Sequence, residues 1–427
     1  MVVTPSRRHW IPPVALVAGQ LAHGASWILL LVLALHRPFT LGAPALGWLH
    51  LIALGWLTMT ALAILVHVIP GFTDATWTGE RIARGALFIF ETAVIVLVFG
   101  FWNGATAVLP WAGTLIVLAL ASYLVPASRT LSTVLAGPKT EAAIARALLI
   151  TLGSLFITVL IGAALAWALA AGGPATLLMS GPPIHASFGM IGWLTVLVMG
   201  VSTRTVRPIT GARSRRPWAH SAAGGCEMGG VVLFAIGLML RTPVVEWIGV
   251  LAVVLGALIY VADLLDILFR ATVRHRPPQA FLGVAAGWLV GGLALSVSAA
   301  AGSSSGAAAV YVLLVGWLGQ MVNGHLYHIG IRLIATVARG DDDETRPGEL
   351  LVAPLSWASF ALFQGAVASG TCALVFNWPT LLTGAAIAGL CAWTTMVINA
   401  AIAACRAVSF REPPDSTRTV SLLRGMP

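Results

Sequence analysis

The sequence predicts an all-α integral membrane protein, a polytopic bundle of about twelve transmembrane helices. Of its 427 residues, 58% are hydrophobic and only 9% are charged, and the mean hydropathy is +0.92. Soluble domains carry roughly 25% charged residues, so a chain this poor in charge cannot cover a water-facing surface. The 16 Trp and 45 Gly residues are typical of membrane helices, because Trp collects at bilayer interfaces and Gly permits close helix packing.

Twelve apolar segments are long enough to cross a bilayer, which takes about 20 helical residues. The predicted spans are 11–35, 46–70, 83–102, 106–126, 143–171, 184–204, 220–240, 244–269, 280–300, 307–337, 351–376 and 379–405. The first segment is too long for the apolar core of a cleavable signal peptide, so we expect it to remain as a membrane helix. The spans form a single domain, 11–405, between short tails at 1–10 and 406–427.

Positive charge falls on every second connection, beginning before the first span. The basic residues of these segments are Arg7, Arg8, Arg81, Arg84, Arg129, Lys139, Arg146, Arg204, Arg207, Arg213, Arg215, Arg216, Arg270, Arg274, Arg276, Arg332, Arg339, Arg346, Arg406 and Arg411. Basic loops stay in the cytoplasm, so both termini are expected there, in a bacterial-type inner (plasma) membrane. Topology thus explains the net charge of +9 without a nucleic-acid partner, and the expected partner is the lipid bilayer.

The cysteines and the main acidic cluster indicate no metal framework. The four cysteines lie in or beside apolar segments without CxxC spacing, so we expect small core residues rather than disulfides; they are Cys226, Cys372, Cys391 and Cys405. The cluster 341–344 lacks the spacing of a calcium loop and is expected to be solvated.

The tripeptide Gly-Trp-Leu recurs near the outer end of spans two, six and ten. Three of its copies are Gly55-Trp56-Leu57, Gly192-Trp193-Leu194 and Gly316-Trp317-Leu318. These spans are four apart and run in the same direction, which predicts three pseudo-repeated four-helix units. A further copy, Gly287-Trp288-Leu289, lies on span nine, which runs the other way.

Several histidines fall inside the predicted membrane, where ionisable groups usually mark function. Neutral imidazole is the commonest metal ligand and a usual axial ligand of heme. His50 and His185 fall at similar depth near the outer face, on equivalent spans, and we predict that they ligate heme or a metal. His325 and His328 are spaced i, i+3 on span ten, so on an α-helix they would share one face. They form a candidate second site.

The remaining histidines are assigned by depth. His67 and His220 fall near the inner face and are further candidate metal ligands. His23 stands alone near the middle of span one, where a hydrogen bond between helices is the simpler interpretation. Three histidines near span ends are expected to be interfacial: His9, His36 and His275.

Acids fall inside spans three, seven and eight: Glu91, Glu227 and Asp263 are the candidate proton-path residues, and Asp266 lies beside Asp263 toward the inner end of span eight. An unpaired charge at the membrane centre costs about 2.5–3.5 kcal/mol on insertion scales, so these groups must be protonated, paired or hydrated. A proton path is the functional interpretation, and structural pairing with Arg or His is the alternative.

Twelve spans, a threefold four-helix repeat and histidines on spans two, six, seven and ten resemble the subunit I superfamily of heme-copper oxidases. Two segments are similar to a divergent branch, the NnrS membrane proteins of the nitric oxide response. One is His67-Val68-Ile69-Pro70 leading to Thr76-Trp77-Thr78-Gly79. The other combines His185, Met199, Thr203-Arg204 and Thr210-Gly211. The resemblance implies b-type heme, copper, and a quinol or cytochrome as electron donor, since the chain has no C-x-x-C-H heme motif.

The sequence also departs from the oxidases. Span seven has His220 at its inner edge instead of a His-His pair, span six lacks the His-Pro-Glu-Val-Tyr copper motif, and span ten has His-x-x-His instead of His-x-His. If the chain is an enzyme, we therefore expect an oxidoreductase other than an oxygen-reducing proton pump. Two alternatives stay open: a proton-coupled secondary transporter, and an assembly or scaffold protein without cofactor.

Overall fold

The computed structural model describes residues 11–36, 42–73, 75–77, 79–273, 276–340 and 346–409. Within these ranges the regular structure is helical, and twelve helices are long and apolar enough to cross a membrane. They are α1 Pro13–His36, α2 Ala43–Thr73, α3 Glu80–Trp102, α4 Thr106–Ser132, α5 Thr140–Ala171, α6 Ala175–Thr210, α7 Ala219–Leu240, α8 Pro243–Phe269, α9 Arg276–Ala300, α10 Gly306–Arg339, α11 Ala353–Phe376 and α12 Pro379–Ser409. The twelve predicted spans are confirmed. His9, His275, the acidic cluster 341–344, the tail 1–10 and the chain after 409 lie outside the described residues.

Large apolar side chains cover the outside of the bundle. Phe88 is 75% exposed, Val14 67% and Leu251 64%. Such a surface is stable against hydrocarbon and not against water. The chain is therefore a multi-pass membrane protein embedded in a lipid bilayer.

The cysteines correct one expectation about the core. All four lie in the described ranges and are free, but Cys372, Cys391 and Cys405 are exposed and only Cys226 is half-buried. These three lie on exposed faces of α11 and α12, where lipid would accept a small apolar side chain as readily as the interior does.

The helices pack as three units of four. The first unit joins the two ends of the chain, α11 and α12 with α1 and α2, and the others are α3–α6 and α7–α10. The last helix of each unit, α2, α6 or α10, lies at the centre of the bundle, where each contacts the other two. The predicted grouping by four thus appears in the packing, with the first unit split across the chain ends.

Each central helix contains a π-helical segment of eight residues, Leu51–Thr58, Phe188–Thr195 and Val312–Gly319. Gly-Trp-Leu occupies the fifth to seventh positions of all three. Well under 1% of residues in proteins are π-helical, so a threefold coincidence in this register marks equivalent positions. The Gly287-Trp288-Leu289 copy lies in the ordinary α-helix of α9 and is not part of the repeat.

The π-helical segments are joined by Trp-to-Thr hydrogen bonds that run in one rotational sense. Trp193 Nε1 donates to Thr58 Oγ1 at 3.0 Å, and Trp317 Nε1 donates to Thr195 Oγ1 at 3.1 Å. The third pair would be Trp56 and position 319, but that residue is Gly319, and its missing Cβ would lie 2.8 Å from the Trp56 ring. Two of the three pseudo-equivalent bonds therefore form.

Candidate functional site

His50 lies on α2, directly before the first π-helical segment. Its Nδ1 is 2.7 Å from the carbonyl oxygen of Leu46, one turn earlier on the same helix. The half-buried ring stacks on Phe101 at the end of α3, with ring centres 5.0 Å apart and planes inclined by 22°. These two contacts fix the orientation of the imidazole.

His185 lies on α6, three residues before the second π-helical segment begins. Its Nδ1 is 2.9 Å from the carbonyl oxygen of Thr158 on α5. The ring lies against Gly162 on the same helix, where a Cβ would come within 2.8 Å of the His185 Cε1 atom. A neighbouring helix thus both orients the ring and leaves the space that it occupies.

The structure brings together His50 and His185, which the sequence predicts at similar depth on equivalent spans. Their ring centres are 6.1 Å apart and their planes are inclined by 23°. A carbonyl oxygen only accepts hydrogen bonds, so each Nδ1 carries the proton and each Nε2 keeps its lone pair. Neither Nε2 has a hydrogen-bond partner among the described residues.

This donor set suits a transition-metal ion or heme iron. Metal-binding histidines usually donate their other ring N–H to a carbonyl or carboxylate, which fixes the tautomer. Metal–imidazole bonds are about 2 Å long, so two rings whose centres are 6.1 Å apart could both bind one ion. In the part of the chain that the structure describes, no group of three His, Cys, Asp or Glu residues is placed to hold a metal ion. The protein therefore offers two ligands here, the imidazoles of His50 and His185.

The threefold repeat shows why the pair occurs only once. The residues directly before the three π-helical segments are His50, Ser187 and Tyr311. Two positions before these lie, in the same order, Trp48, His185 and Ala309. His185 of the second unit meets His50 of the first, and in the same sense Trp48 stacks on Tyr311 at 6.1 Å. The corresponding third pair is Ala309 and Ser187. One interface thus has two imidazoles, one has an aromatic pair, and one has two small residues.

In the candidate second site on α10, the ring nitrogens of one histidine are already bound by other groups of the protein. His325 is buried, with Nδ1 2.7 Å from the Met321 carbonyl oxygen and Nε2 2.9 Å from Thr205 Oγ1. Both ring nitrogens therefore have protein partners. A second π-helical segment, Leu326–Gly330, begins between His325 and His328, so the shared face assumed for an α-helix does not apply.

His220 and Asp263 form a buried pair between α7 and α8. His220 Nδ1 is 3.3 Å from Asp263 Oδ2, and Ser214 Oγ donates to Asp263 Oδ1 at 2.7 Å. Asp263 thus has the structural pairing that the sequence left as the alternative to a proton path. His67, the other candidate near the inner face, is exposed on α2.

The predicted proton-path acids do not form one group. Glu91 lies on α3, which packs against α1, α2 and α4, whereas Glu227 and Asp263 lie on the paired helices α7 and α8. One carboxyl oxygen of Glu91 and one of Glu227 are buried without a hydrogen-bond partner among the described residues.

His23 differs from its expected role. It is fully buried and stacks on Trp56, with ring centres 3.5 Å apart and planes inclined by 4°. Its Nδ1 contacts Gln20 of its own helix at 3.4 Å, so the expected bond to another helix is replaced by a ring stack. The Gly-Trp-Leu repeat identified Trp56, but nothing in the sequence paired it with His23.

Comparison with protein-family models found no match for this chain, and comparison with curated protein sequences found no significant match.

Proposed function

We propose that this chain is a divergent relative of subunit I of the heme-copper oxidases, on an NnrS-like branch, and that it acts in a nitric oxide or redox response. His50 and His185 would hold the metal centre near the outer face. The observation that carries the proposal is their pairing at 6.1 Å, with each Nδ1 hydrogen-bonded to a backbone carbonyl.

The shared chemistry is a redox-active ion that accepts two neutral imidazoles. Iron in b-type heme and copper both satisfy it. When bound, either would supply one-electron chemistry, and a copper ion held by only these two imidazoles would also keep a coordination position for a small molecule such as nitric oxide. The chain itself orients the rings through Leu46, Thr158 and Gly162 and packs one ring face with Phe101.

The architecture supports this superfamily over the transporter alternative. Secondary transporters are typically built from inverted repeats or two similar halves. The π-helical segments and the Trp–Thr bonds instead relate three units in one rotational sense. A quinol or cytochrome in the same membrane would be the electron donor.

The test is a reduced-minus-oxidised absorption spectrum and metal analysis on one sample of purified protein, expressed with heme and copper supplied. A b-type heme band that is lost in His50→Ala and His185→Ala assigns iron to the pair. Copper near one equivalent without that band, lost in the same variants, assigns copper. His36→Ala, at an exposed histidine on the end of α1, is the matched control and should change neither signal.

A sample with neither heme nor copper would refute the proposal. It would leave proton-coupled transport as the function to pursue, and His50 and His185 variants without any phenotype would favour the scaffold alternative.

A further inference from the structure

Glu227 lines a small cavity at the interface between the second and third units. The cavity is about 10 Å³ and lies among α6–α10. Its walls are aliphatic and Met side chains apart from Thr195 and Glu227. A buried water needs a cavity of about 10–15 Å³, so the space fits a single water molecule.

The carboxyl group of Glu227 is held at this cavity. The residue is 1% exposed, and its Oε2 has no hydrogen-bond partner within the described ranges. On the other side α8 packs tightly, because a Cβ on Gly256 would come within 3.0 Å of Glu227 Cγ. The side chain is confined between that helix and the cavity.

The surroundings do not stabilise a negative charge. The residues that line the cavity from α6, α8, α9 and α10 include no basic side chain. The nearest basic group along α7, His220, is seven residues away, about 10 Å along the helix, and pairs with Asp263. A buried ion without a partner is strongly disfavoured, whereas a neutral acid needs only a hydrogen-bond acceptor.

The hydroxyl group of Thr195 can accept a hydrogen bond from a water molecule in the cavity. Its hydroxyl donates to the Met190 carbonyl oxygen at 2.9 Å and accepts from Trp317 Nε1 at 3.1 Å. A hydroxyl oxygen has two acceptor positions, so one is left for a water O–H. With Glu227, the water would then have two polar partners, the minimum for a buried site.

We propose that Glu227 is a proton-binding group and that its neutral acid form donates to a water molecule in this cavity. The proton comes from solvent water and forms the O–H bond of the carboxyl group, which removes the charge. The proposal does not depend on the metal pair.

The experiment is infrared spectroscopy of the purified full-length protein in H₂O and in D₂O. We expect a C=O band of a protonated, hydrogen-bonded carboxylic acid that shifts on deuteration and disappears in Glu227→Gln. A band that survives unchanged in Glu227→Gln, or the absence of any such band in the wild type, would overturn the proposal.

Further variants separate this group from other acids. Glu246→Gln, at a half-buried acid near the outer end of α8, is the control and should leave the band intact. Glu91→Gln identifies any contribution from the buried carboxyl on α3. Glu227→Asp should move the band rather than remove it, which covers the case in which the Gln variant folds poorly.

The water is tested separately by Val253→Leu, which adds a methylene group to the cavity wall. Loss of the water should shift the C=O band toward that of an acid without a hydrogen bond. An unchanged position in this variant would contradict the water site.

Discussion

At the scale of single residues, backbone carbonyl groups orient both imidazole rings of the His50–His185 pair. Each Nδ1–H donates a hydrogen bond to a backbone carbonyl oxygen, on α2 for His50 and on α5 for His185. Both rings are therefore held in the tautomer whose Nε2 is an acceptor. Gly162 adds a steric requirement, because the His185 ring occupies the space where any other residue would place a Cβ.

Replacing this glycine should weaken metal or heme binding without touching a ligand. In Gly162→Ala the new methyl would lie 2.8 Å from His185 Cε1, so the ring must move. Outer-shell substitutions of this kind typically cost about 10–100-fold in metal affinity, and we expect a loss in that range. Gly153→Ala on the same helix, where nothing lies within 4 Å of the added Cβ, is the control. Equal occupancy in both variants, measured by metal analysis and absorption, would argue against the site.

At the scale of helices, the π-helical segments bring three Trp side chains to the centre of the bundle. Two of these indoles are fixed by a threonine of the neighbouring unit. The third indole, Trp56, is fully buried, and its N–H has no partner within the described ranges. It stacks on His23 instead. The repeat is therefore symmetric in backbone and asymmetric in hydrogen bonding.

This asymmetry predicts different responses to the same substitution. Trp193→Phe and Trp317→Phe each remove a hydrogen bond inside the membrane, which averages about 0.6 kcal/mol and reaches about 1.7 kcal/mol. Trp56→Phe removes an N–H without a partner, so no bond is lost and the desolvation penalty of that group disappears. Thermal unfolding in detergent should therefore show lower stability for the first two variants than for the third. Thr58→Val should resemble Trp193→Phe, and a Trp56→Phe protein that is the least stable of the set would contradict the assignment.

At the scale of the whole molecule, the two ends of the chain close the first unit of the bundle, and arginine side chains join them to a central helix. Arg339 of α10 donates to the carbonyl oxygens of Arg406 and Ala407, and Arg406 of α12 donates to Leu350 and Leu351. The bundle is thus joined at the end that the positive-inside rule assigns to the cytoplasm.

Orientation can be tested by labelling introduced cysteines with an impermeant thiol reagent on intact cells. Ser303→Cys, in the exposed turn between α9 and α10, should react from outside. Ala136→Cys, exposed between α4 and α5, should react only after the cells are opened. The wild-type protein is the control for its own four cysteines. The reverse pattern would invert the predicted topology and place the His50–His185 pair on the cytoplasmic side.

The candidate site was predictable only in part. The Gly-Trp-Leu register placed His50 and His185 at similar depth on equivalent helices, because helical rise converts sequence spacing into depth. It did not give their contact, since a position in one unit meets a different position in the next. On α10 the i, i+3 spacing predicted that His325 and His328 share one face of an α-helix. A π-helical segment that begins between them changes this geometry.

The sequence by itself determined the class, the number of spans and the candidate ligands. Bilayer thickness sets the length of each spanning helix, and the exclusion of charge from hydrocarbon sets where each loop begins. Local amino-acid composition therefore predicts both the spans and the loops. The tertiary structure decided which side chains meet: His50 with His185, Asp263 with His220, and Trp56 with His23. Such contacts depend on helix rotation and on π-helical turns, which arise from packing between distant segments and leave no signal in a single stretch of sequence.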